Sequence, residues 1–183
     1  PSPFGPPRAS VYAAASRVTG VGAPGGAVSY GYDNAGRRTS LTYPGNRTVT
    51  YGYDAGDQLT SLTDWESRTV AFTYTADGQP ESVTRPNGVT TDYGYDLAGR
   101  LTSVAHNGAG LGSQFSYAYT LDAAGNRTAM TSGSGTETYV LDELNRLTNV
   151  TYANGDTAAY TYDPNGNRLT ETVNGAQTQA YTY

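Results

Sequence analysis

The sequence predicts an all-β fold, in which tandem β-hairpins of about 21 residues form a continuous, twisted antiparallel sheet. Composition gives the first indication: the chain has 17 tyrosines and 23 glycines in 183 residues and many threonines. Tyrosine and threonine favour strands, whereas glycine, asparagine and aspartate favour turns. A repeated phrase gives the second: "YGYDNAGRR" at 30–38 returns as "YGYDLAGRL" at 93–101.

One position in each copy of the phrase marks the repeat, and we call it the anchor. It is the second residue of Tyr-x-Tyr, or of a variant such as the Tyr-x-Leu of two copies, and it recurs at steps of 21, 21, 21, 26, 20, 21 and 21 residues. The predicted structural anchors are Tyr32, Tyr53, Tyr74, Tyr95, Leu121, Leu141, Tyr162 and Tyr183. A fixed period of this length indicates a repeat architecture. We therefore predict a repeat region over 29–183, with about seven repeats and the start of an eighth. Residues 1–28, rich in Pro, Gly and Ala, are predicted to be a leader or linker with a strand near Ser10–Val18.

Each repeat reads as two strands and two turns. Large residues such as Val49, Tyr51 and Tyr53 alternate with small or polar ones, which is typical of a strand with one buried face. An Asp-x-x-Gly stretch after the anchor suits a type I turn. The predicted turn residues are Asp33, Gly36, Asp96, Gly99, Asp122, Gly125, Asp163 and Gly166. A second turn is predicted at "YPGN" (43–46), "RPNG" (85–88), "YANG" (152–155) and "VNG" (173–175).

These features assign the repeated residues to structure rather than to chemistry. Tyrosines of neighbouring hairpins are expected to form a row on one face. In particular, Tyr32, Tyr53, Tyr74 and Tyr95 should share one face of the sheet. The arginines that follow the turn glycines are expected to pair with the preceding aspartates; they are Arg37, Arg100, Arg127, Arg146 and Arg168.

Several function classes are disfavoured. A net charge of −5 argues against nucleic acid as a partner, and no apolar run is long enough to span a bilayer. Cysteine and lysine are absent, and His106, in a predicted loop around 105–114, is the single histidine, so most catalytic dyads and triads are unavailable. A calcium site at Asp33, Asp96 or Asp163 is weighed, but a turn role accounts better for these residues. We predict no catalytic, cofactor-binding or metal-binding residues, and no enzyme.

At this point the phrases "YGYDNAGRRTSLTYPGN", "YGYDLAGRLTSV" and "YTYDPNGNRLTETVNG" resemble the tyrosine–aspartate (YD) repeats of Rhs proteins. Related repeats occur in toxin-complex B and C components, polymorphic toxins and teneurins. The resemblance covers roughly 29–183. It implies a sheet that spirals into a hollow shell, which encloses a toxic domain in the toxin members and belongs to an adhesion protein in teneurins. Those shells are much longer than seven repeats. The family's self-cleavage motif is incomplete here, so Asp163 is interpreted as a turn residue.

Three functions therefore stand open. The first is a segment of an Rhs-type shell of a secreted or cell-surface protein, with a bacterial source expected, that encapsulates a toxin domain or mediates contact. The second is an adhesion module that binds glycans through exposed tyrosines. The third is a filament or homo-oligomer in which the edge at Tyr181 and Tyr183 pairs with another chain. Neighbouring YD repeats, of the same chain or another, are the partners common to these alternatives.

Overall fold

A computed structural model describes residues 10–12, 17–23, 26–108 and 115–183. These residues form seventeen β-strands and contain no α-helix. The all-β prediction is thereby confirmed. The chain divides into two compact units, residues 1–88 and 89–183.

The first unit contains eight strands, and each pairs antiparallel with the next strand along the chain. The strands are β1 (Ser10–Tyr12), β2 (Val18–Ala23), β3 (Gly26–Tyr32), β4 (Arg38–Tyr43), β5 (Arg47–Tyr53), β6 (Leu59–Thr63), β7 (Thr69–Tyr74) and β8 (Pro80–Thr84). β1 and the start of β2 lie where the sequence predicts a strand near Ser10–Val18, and residues 13–16 between them lie outside the described residues.

The second unit contains nine strands with the same serial antiparallel pairing. They are β9 (Thr90–Tyr95), β10 (Leu101–Asn107), β11 (Ser116–Leu121), β12 (Arg127–Ser132), β13 (Gly135–Leu141), β14 (Leu147–Thr151), β15 (Thr157–Tyr162), β16 (Arg168–Val173) and β17 (Ala176–Ala180). Of the predicted loop at 105–114, residues 109–114 lie outside the described residues, whereas 105–107 belong to β10.

The two faces of the strands differ in residue size, as the alternation in sequence predicts. On one face large side chains stand opposite each other: Tyr30 faces Leu41, and Leu41 faces Val49. On the other face small polar residues pair, for example Thr42 with Thr48, whose hydroxyls lie 2.9 Å apart. Few side chains of the large-residue face are buried; among the described hydrophobic residues they are Val49, Val150 and Ala158.

The Asp-x-x-Gly stretches form β-turns of one design, which we call the near turns. In the first, the Gly36 N–H donates to the Asp33 carbonyl and the Asp33 N–H donates to the Arg37 carbonyl, both at 3.0 Å. Gly36 has a φ of 87°, a left-handed conformation that glycine adopts without strain. The same two hydrogen bonds close the near turns at 33–36, 54–57, 75–78, 96–99, 122–125, 142–145 and 163–166.

Two near turns place a non-glycine residue at the left-handed position. Asn145, with a φ of 60°, takes the glycine position of its turn. In the turn at 54–57 the left-handed residue is Asp57, with a φ of 65°, so the glycine that comes one place early at Gly56 does not fill this role. Asparagine and aspartate tolerate this conformation better than other side chains do.

A β-bulge follows each near turn. Tyr32 is paired with Arg38, but Gly31 is paired with Ser40, so Thr39 is an extra residue on the return strand. The same shift occurs in all seven hairpins that follow an anchor. Bulges bend a strand and increase its local twist, so one bulge per repeat adds the same local deformation to every hairpin.

The far turns connect each hairpin to the next. All four predicted far turns are turns in the structure, and their glycines are left-handed: Gly45, Gly88, Gly155 and Gly175 have φ values of 82°, 79°, 90° and 79°. The turn at 173–176 is a two-residue Asn-Gly connection between Val173 and Ala176, which are paired. Such a turn matches the right-handed twist of its flanking strands.

Candidate functional site

The near-turn aspartates act as fixed hydrogen-bond acceptors. In the first near turn, Oδ1 of Asp33 accepts from the Arg37 backbone N–H at 2.9 Å, and Oδ2 accepts from Arg37 Nε at 2.7 Å. Asp96 and Asp142 are held in the same way by the arginines four residues on, with Nε–Oδ2 distances of 2.7 Å. A carboxylate that accepts both a backbone and a side-chain hydrogen bond is held in one orientation, and it stabilises the backbone of its own turn.

These contacts favour the ionised carboxylates. The side-chain hydrogen bond from Arg37 holds the pKa of Asp33 below its ordinary value. The largest effect lowering the pKa of Asp96 and of Asp142 is a backbone hydrogen bond, whereas asparagine side chains lower the pKa of Asp122 and of Asp163 most strongly. Hydrogen bonds to the charged form lower a carboxyl pKa in this way. None of these aspartates is therefore tuned to exchange a proton near neutral pH.

Within each unit, successive near turns are also bonded to each other. Arg37 Nη1 reaches the Asp54 carbonyl at 3.2 Å and the Asp57 carboxylate at 2.6 Å. Arg100 and Arg146 bind the carbonyls of the following turn aspartates, at 2.9 and 3.1 Å. Amide side chains replace arginine elsewhere: Gln58 Nε2 binds the Gly78 carbonyl at 3.0 Å, and Asn126 Nδ2 binds Asn145 Oδ1 at 2.7 Å.

The anchor tyrosines make the second contact between repeats. Tyr53 donates its hydroxyl hydrogen to the Arg38 carbonyl at 2.9 Å, and Tyr74 donates to the Leu59 carbonyl at 2.9 Å. Tyr162 donates to the Leu147 carbonyl at 2.7 Å. In every case the acceptor is the first residue of the preceding strand, at the end where no turn joins the two strands. We call these hydroxyl bonds and the turn-to-turn bonds together the inter-repeat ladder.

The prediction that arginines pair with the preceding aspartates is correct for Arg37, Arg100 and Arg146. It is wrong for Arg127 and Arg168. An asparagine precedes each of these two arginines, and its side chain binds the turn aspartate instead. Each arginine therefore lies one position further along the strand, where it is paired with the anchor. Their guanidinium groups lie over tyrosine rings: Arg127 over Tyr119 and Tyr139 at 5.1 and 5.7 Å, and Arg168 over Tyr160 and Tyr181 at 5.5 and 4.9 Å.

The ladder extends upstream of the first anchor. β1 and β2 pair with the bulged register of the repeat, since Tyr12 faces Val18 while Val11 faces Gly20. The Tyr32 hydroxyl donates to the Val18 carbonyl at 2.9 Å, as the later anchors do. The signal in sequence is that Tyr12 precedes Tyr32 by 20 residues. No aspartate follows Tyr12, and Nε of Arg17 is buried without a hydrogen-bond partner among the described residues.

The remaining predicted residues lie along the same strand ends. Tyr95 faces Leu101, and the leucine anchors Leu121 and Leu141 face Arg127 and Leu147. At the C-terminal edge β17 ends at Ala180, so Tyr181 and Tyr183 follow the last strand. The Tyr181 N–H donates to the Leu169 carbonyl at 2.9 Å and its hydroxyl accepts from Arg168 at 2.7 Å, whereas Tyr183 is 74% exposed.

Groups that could carry chemistry are engaged elsewhere or stand apart. His106 lies in β10, and its Nδ1 is 2.9 Å from the Thr91 hydroxyl. Within the described ranges, no three His, Cys, Asp or Glu side chains come together as metal ligands would. The described part of the chain also has no helix with the length and hydrophobicity that a membrane crossing requires.

Comparison with family models places the repeat in a known class. The model described as "Teneurin YD-shell" matches residues 11–183. The chain belongs to the teneurin YD-shell family. This family match begins upstream of the first anchor, inside β1, and a YD shell is a structural shell domain. A comparison with curated proteins finds no match.

Solved structures share the fold at low sequence identity. The Photorhabdus luminescens Tc holotoxin pore is 19% identical with a TM-score of 0.66, and covers 83% of this chain. TcdB2-TccC3 without its hypervariable C-terminal region is 19% identical with a TM-score of 0.68, and also covers 83%. TcdB2-TccC3-Cdc42 is 20% identical with a TM-score of 0.65, and covers 85%. The YD-shell chain described here spans 9% of the length of each of these chains.

Proposed function

We propose that this chain is a segment of a YD-repeat shell, a non-catalytic scaffold in a secreted or cell-surface protein that encloses a toxin domain or mediates contact. The observation that carries the proposal is the inter-repeat ladder, in a chain whose family match covers residues 11–183. A ladder that bonds successive repeats within each unit suits a wall built by adding hairpins in a single direction. The same contacts engage the near-turn arginines and the hydroxyls of three anchor tyrosines.

The matched structures support the enclosing role by analogy. One of them is described as lacking a hypervariable C-terminal region. By analogy, we propose that the protein containing this chain holds a variable segment inside its shell. Because this chain spans 9% of those chains, the wall around such a cargo requires many more repeats than the chain supplies.

The test uses the complete gene product that contains this sequence. Electron cryo-microscopy of the purified protein is expected to show a hollow particle whose wall contains these hairpins. Limited proteolysis should leave an enclosed segment intact until the shell is opened by denaturant. A solid particle, or an enclosed segment that is cleaved as fast as a free peptide, would contradict the proposal.

Assembly through a strand edge is the second candidate, because all five residues of β17 are exposed. An exposed edge can pair with a strand of another chain. Sedimentation velocity of this chain at rising concentration would then reveal larger species, and Thr178→Lys should suppress them. A monomer at every concentration would exclude edge pairing and leave the shell proposal unaffected.

A further inference from the structure

Two far turns of the first unit bring an aromatic cluster together at the surface. Tyr43 precedes the turn between β4 and β5, and Trp65 lies in the turn between β6 and β7. Their ring centroids are 6.2 Å apart with an interplanar angle of 78°. Both side chains are exposed, at 42% and 44%. The guanidinium of Arg47 lies over the Trp65 ring, 5.7 Å from its centroid.

The cluster borders an open depression of about 510 Å³, which we call the aromatic pocket. It is lined by Tyr43, Pro44, Arg47, Val49, Asp64 and Trp65. Val49 is 9% exposed, and with Pro44 it provides an apolar lining. The volume lies in the range of small-molecule sites, which combine apolar walls with a few polar groups that fix the orientation of the ligand.

The polar groups of the aromatic pocket are almost all hydrogen-bond donors. Asp64 is already engaged: Oδ1 accepts two backbone N–H groups, and Oδ2 is paired with Arg68 at 2.7 Å. Among the described residues, the Arg47 guanidinium has no ion pair, and the Trp65 indole N–H and the Tyr43 hydroxyl have no hydrogen bond. Guanidinium and indole can only donate. The unmatched chemistry therefore calls for a ligand rich in acceptors.

We propose that the aromatic pocket binds a carboxylated pyranose, such as a uronate unit of an acidic glycan. The planar guanidinium of Arg47 matches a carboxylate with two parallel hydrogen bonds. An exposed aromatic face packs against the apolar C–H face of a pyranose ring. The hydroxyl oxygens of the sugar then accept from the Trp65 indole and the Tyr43 hydroxyl. A neutral sugar leaves Arg47 without its anion, and an aromatic carboxylate lacks the hydroxyls.

This site goes beyond the scaffold role and does not depend on it. The pocket lies wholly within the first unit and uses none of the inter-repeat ladder. A shell segment that binds glycans would attach its parent protein to acidic surface polysaccharide, whatever the shell encloses.

Trp65 is the only tryptophan of the chain, so its emission reports on the pocket directly. The whole 183-residue chain is titrated with tetragalacturonate, with cellotetraose as the neutral probe and benzoate as the aromatic carboxylate. We expect saturable quenching by tetragalacturonate, with a Kd at least tenfold lower than for either control. Equal affinity for cellotetraose or benzoate, or no saturable response, would overturn the proposal.

Variants separate the pocket from general charge effects. Arg47→Gln should raise the Kd for tetragalacturonate at least tenfold. Arg38→Gln is the matched control, because Arg38 also stacks on an aromatic ring, 4.5 Å from that of Tyr51, but does not line the pocket; its Kd should be unchanged. Tyr43→Ala, measured by calorimetry with circular dichroism as the folding check, should also weaken binding. Equal Kd values for Arg47→Gln and Arg38→Gln would rule out the carboxylate contact.

Discussion

Removal of one anchor hydroxyl tests the inter-repeat ladder directly. In Tyr74→Phe the ring stays in place, but the 2.9 Å hydrogen bond to the Leu59 carbonyl is lost. That bond joins the start of β6 to the end of β7, at the end of the strand pair opposite its turn. A half-buried hydrogen bond of this type contributes about 1 kcal/mol net to the free energy of unfolding. With a urea dependence of roughly 1–3 kcal/mol per molar, the unfolding midpoint should fall by about 0.3–1 M.

The assay is urea denaturation followed by Trp65 emission, since Trp65 lies in the turn between β6 and β7. Tyr51→Phe is the control: the Tyr51 hydroxyl has no hydrogen bond among the described residues, while its ring keeps the stacked Arg38 guanidinium at 4.5 Å. The control should shift the midpoint little, as surface substitutions usually do. If the two variants shift the midpoint by the same amount, the hydroxyl bond does not stabilise the repeat junction.

Other consequences concern the turns, the small-residue face and the core. The near-turn aspartates with lowered pKa values stabilise the fold when they are ionised. This stabilisation is present above about pH 4 and is lost as the pH falls through the folded-state pKa values. Urea unfolding midpoints measured between pH 7 and pH 2 should therefore fall only below about pH 4. Gly52→Ala should lower the thermal unfolding midpoint, because a Cβ at this position meets the Ser61 hydroxyl. Adding Ser61→Gly to the same chain should restore the midpoint. If the double variant is not restored, the Ser61 hydroxyl is not the cause of the destabilisation. Val150→Ala, at a residue that is 4% exposed, should lower the free energy of unfolding in urea by roughly 1–3 kcal/mol, whereas Val140→Ala, at a residue that is 54% exposed, should lower it little. Similar losses for the two variants would mean that the face carrying Val150 has no distinct core.

Much of the fold was predictable because the repeat period and the side-chain alternation act locally. Tyr-x-Tyr fixes which face holds the rings, and Asp-x-x-Gly fixes a turn whose hydrogen bonds lie within five residues. These signals depend on neighbours in sequence. The structure accordingly has turns at 33–36, 96–99, 122–125 and 163–166 and at the four predicted far turns.

The ladder was less accessible because its contacts join different repeats. The bond from Arg37 to the Asp54 carbonyl spans 17 residues, and its acceptor is backbone, which has no sequence signature. The different roles of Arg127 and Arg146 depend on a shift of one position after the turn, which reverses the face of the strand. The pairing of β1 with β2 was not predicted, since no aspartate follows Tyr12 and no glycine lies four residues after it, although Tyr12 and Arg17 keep the spacing of the repeat.

The chemical asymmetry of the ladder has a consequence for how such chains change over time. The donors are side chains, namely Tyr hydroxyls, Arg guanidiniums and the amides of Gln58 and Asn126, while most of the acceptors are backbone carbonyls. A carbonyl is present whatever residue carries it, so a repeat can be duplicated, deleted or diverged without a matching change in its neighbour. Loss of one whole period, such as residues 54–74, would place Thr75 directly after Tyr53, so that the Thr75 carbonyl takes the sequence position of the Asp54 carbonyl that accepts from Arg37. One repeat can therefore replace another, and the number of repeats can change while the hydrogen bonds between them keep the same pattern.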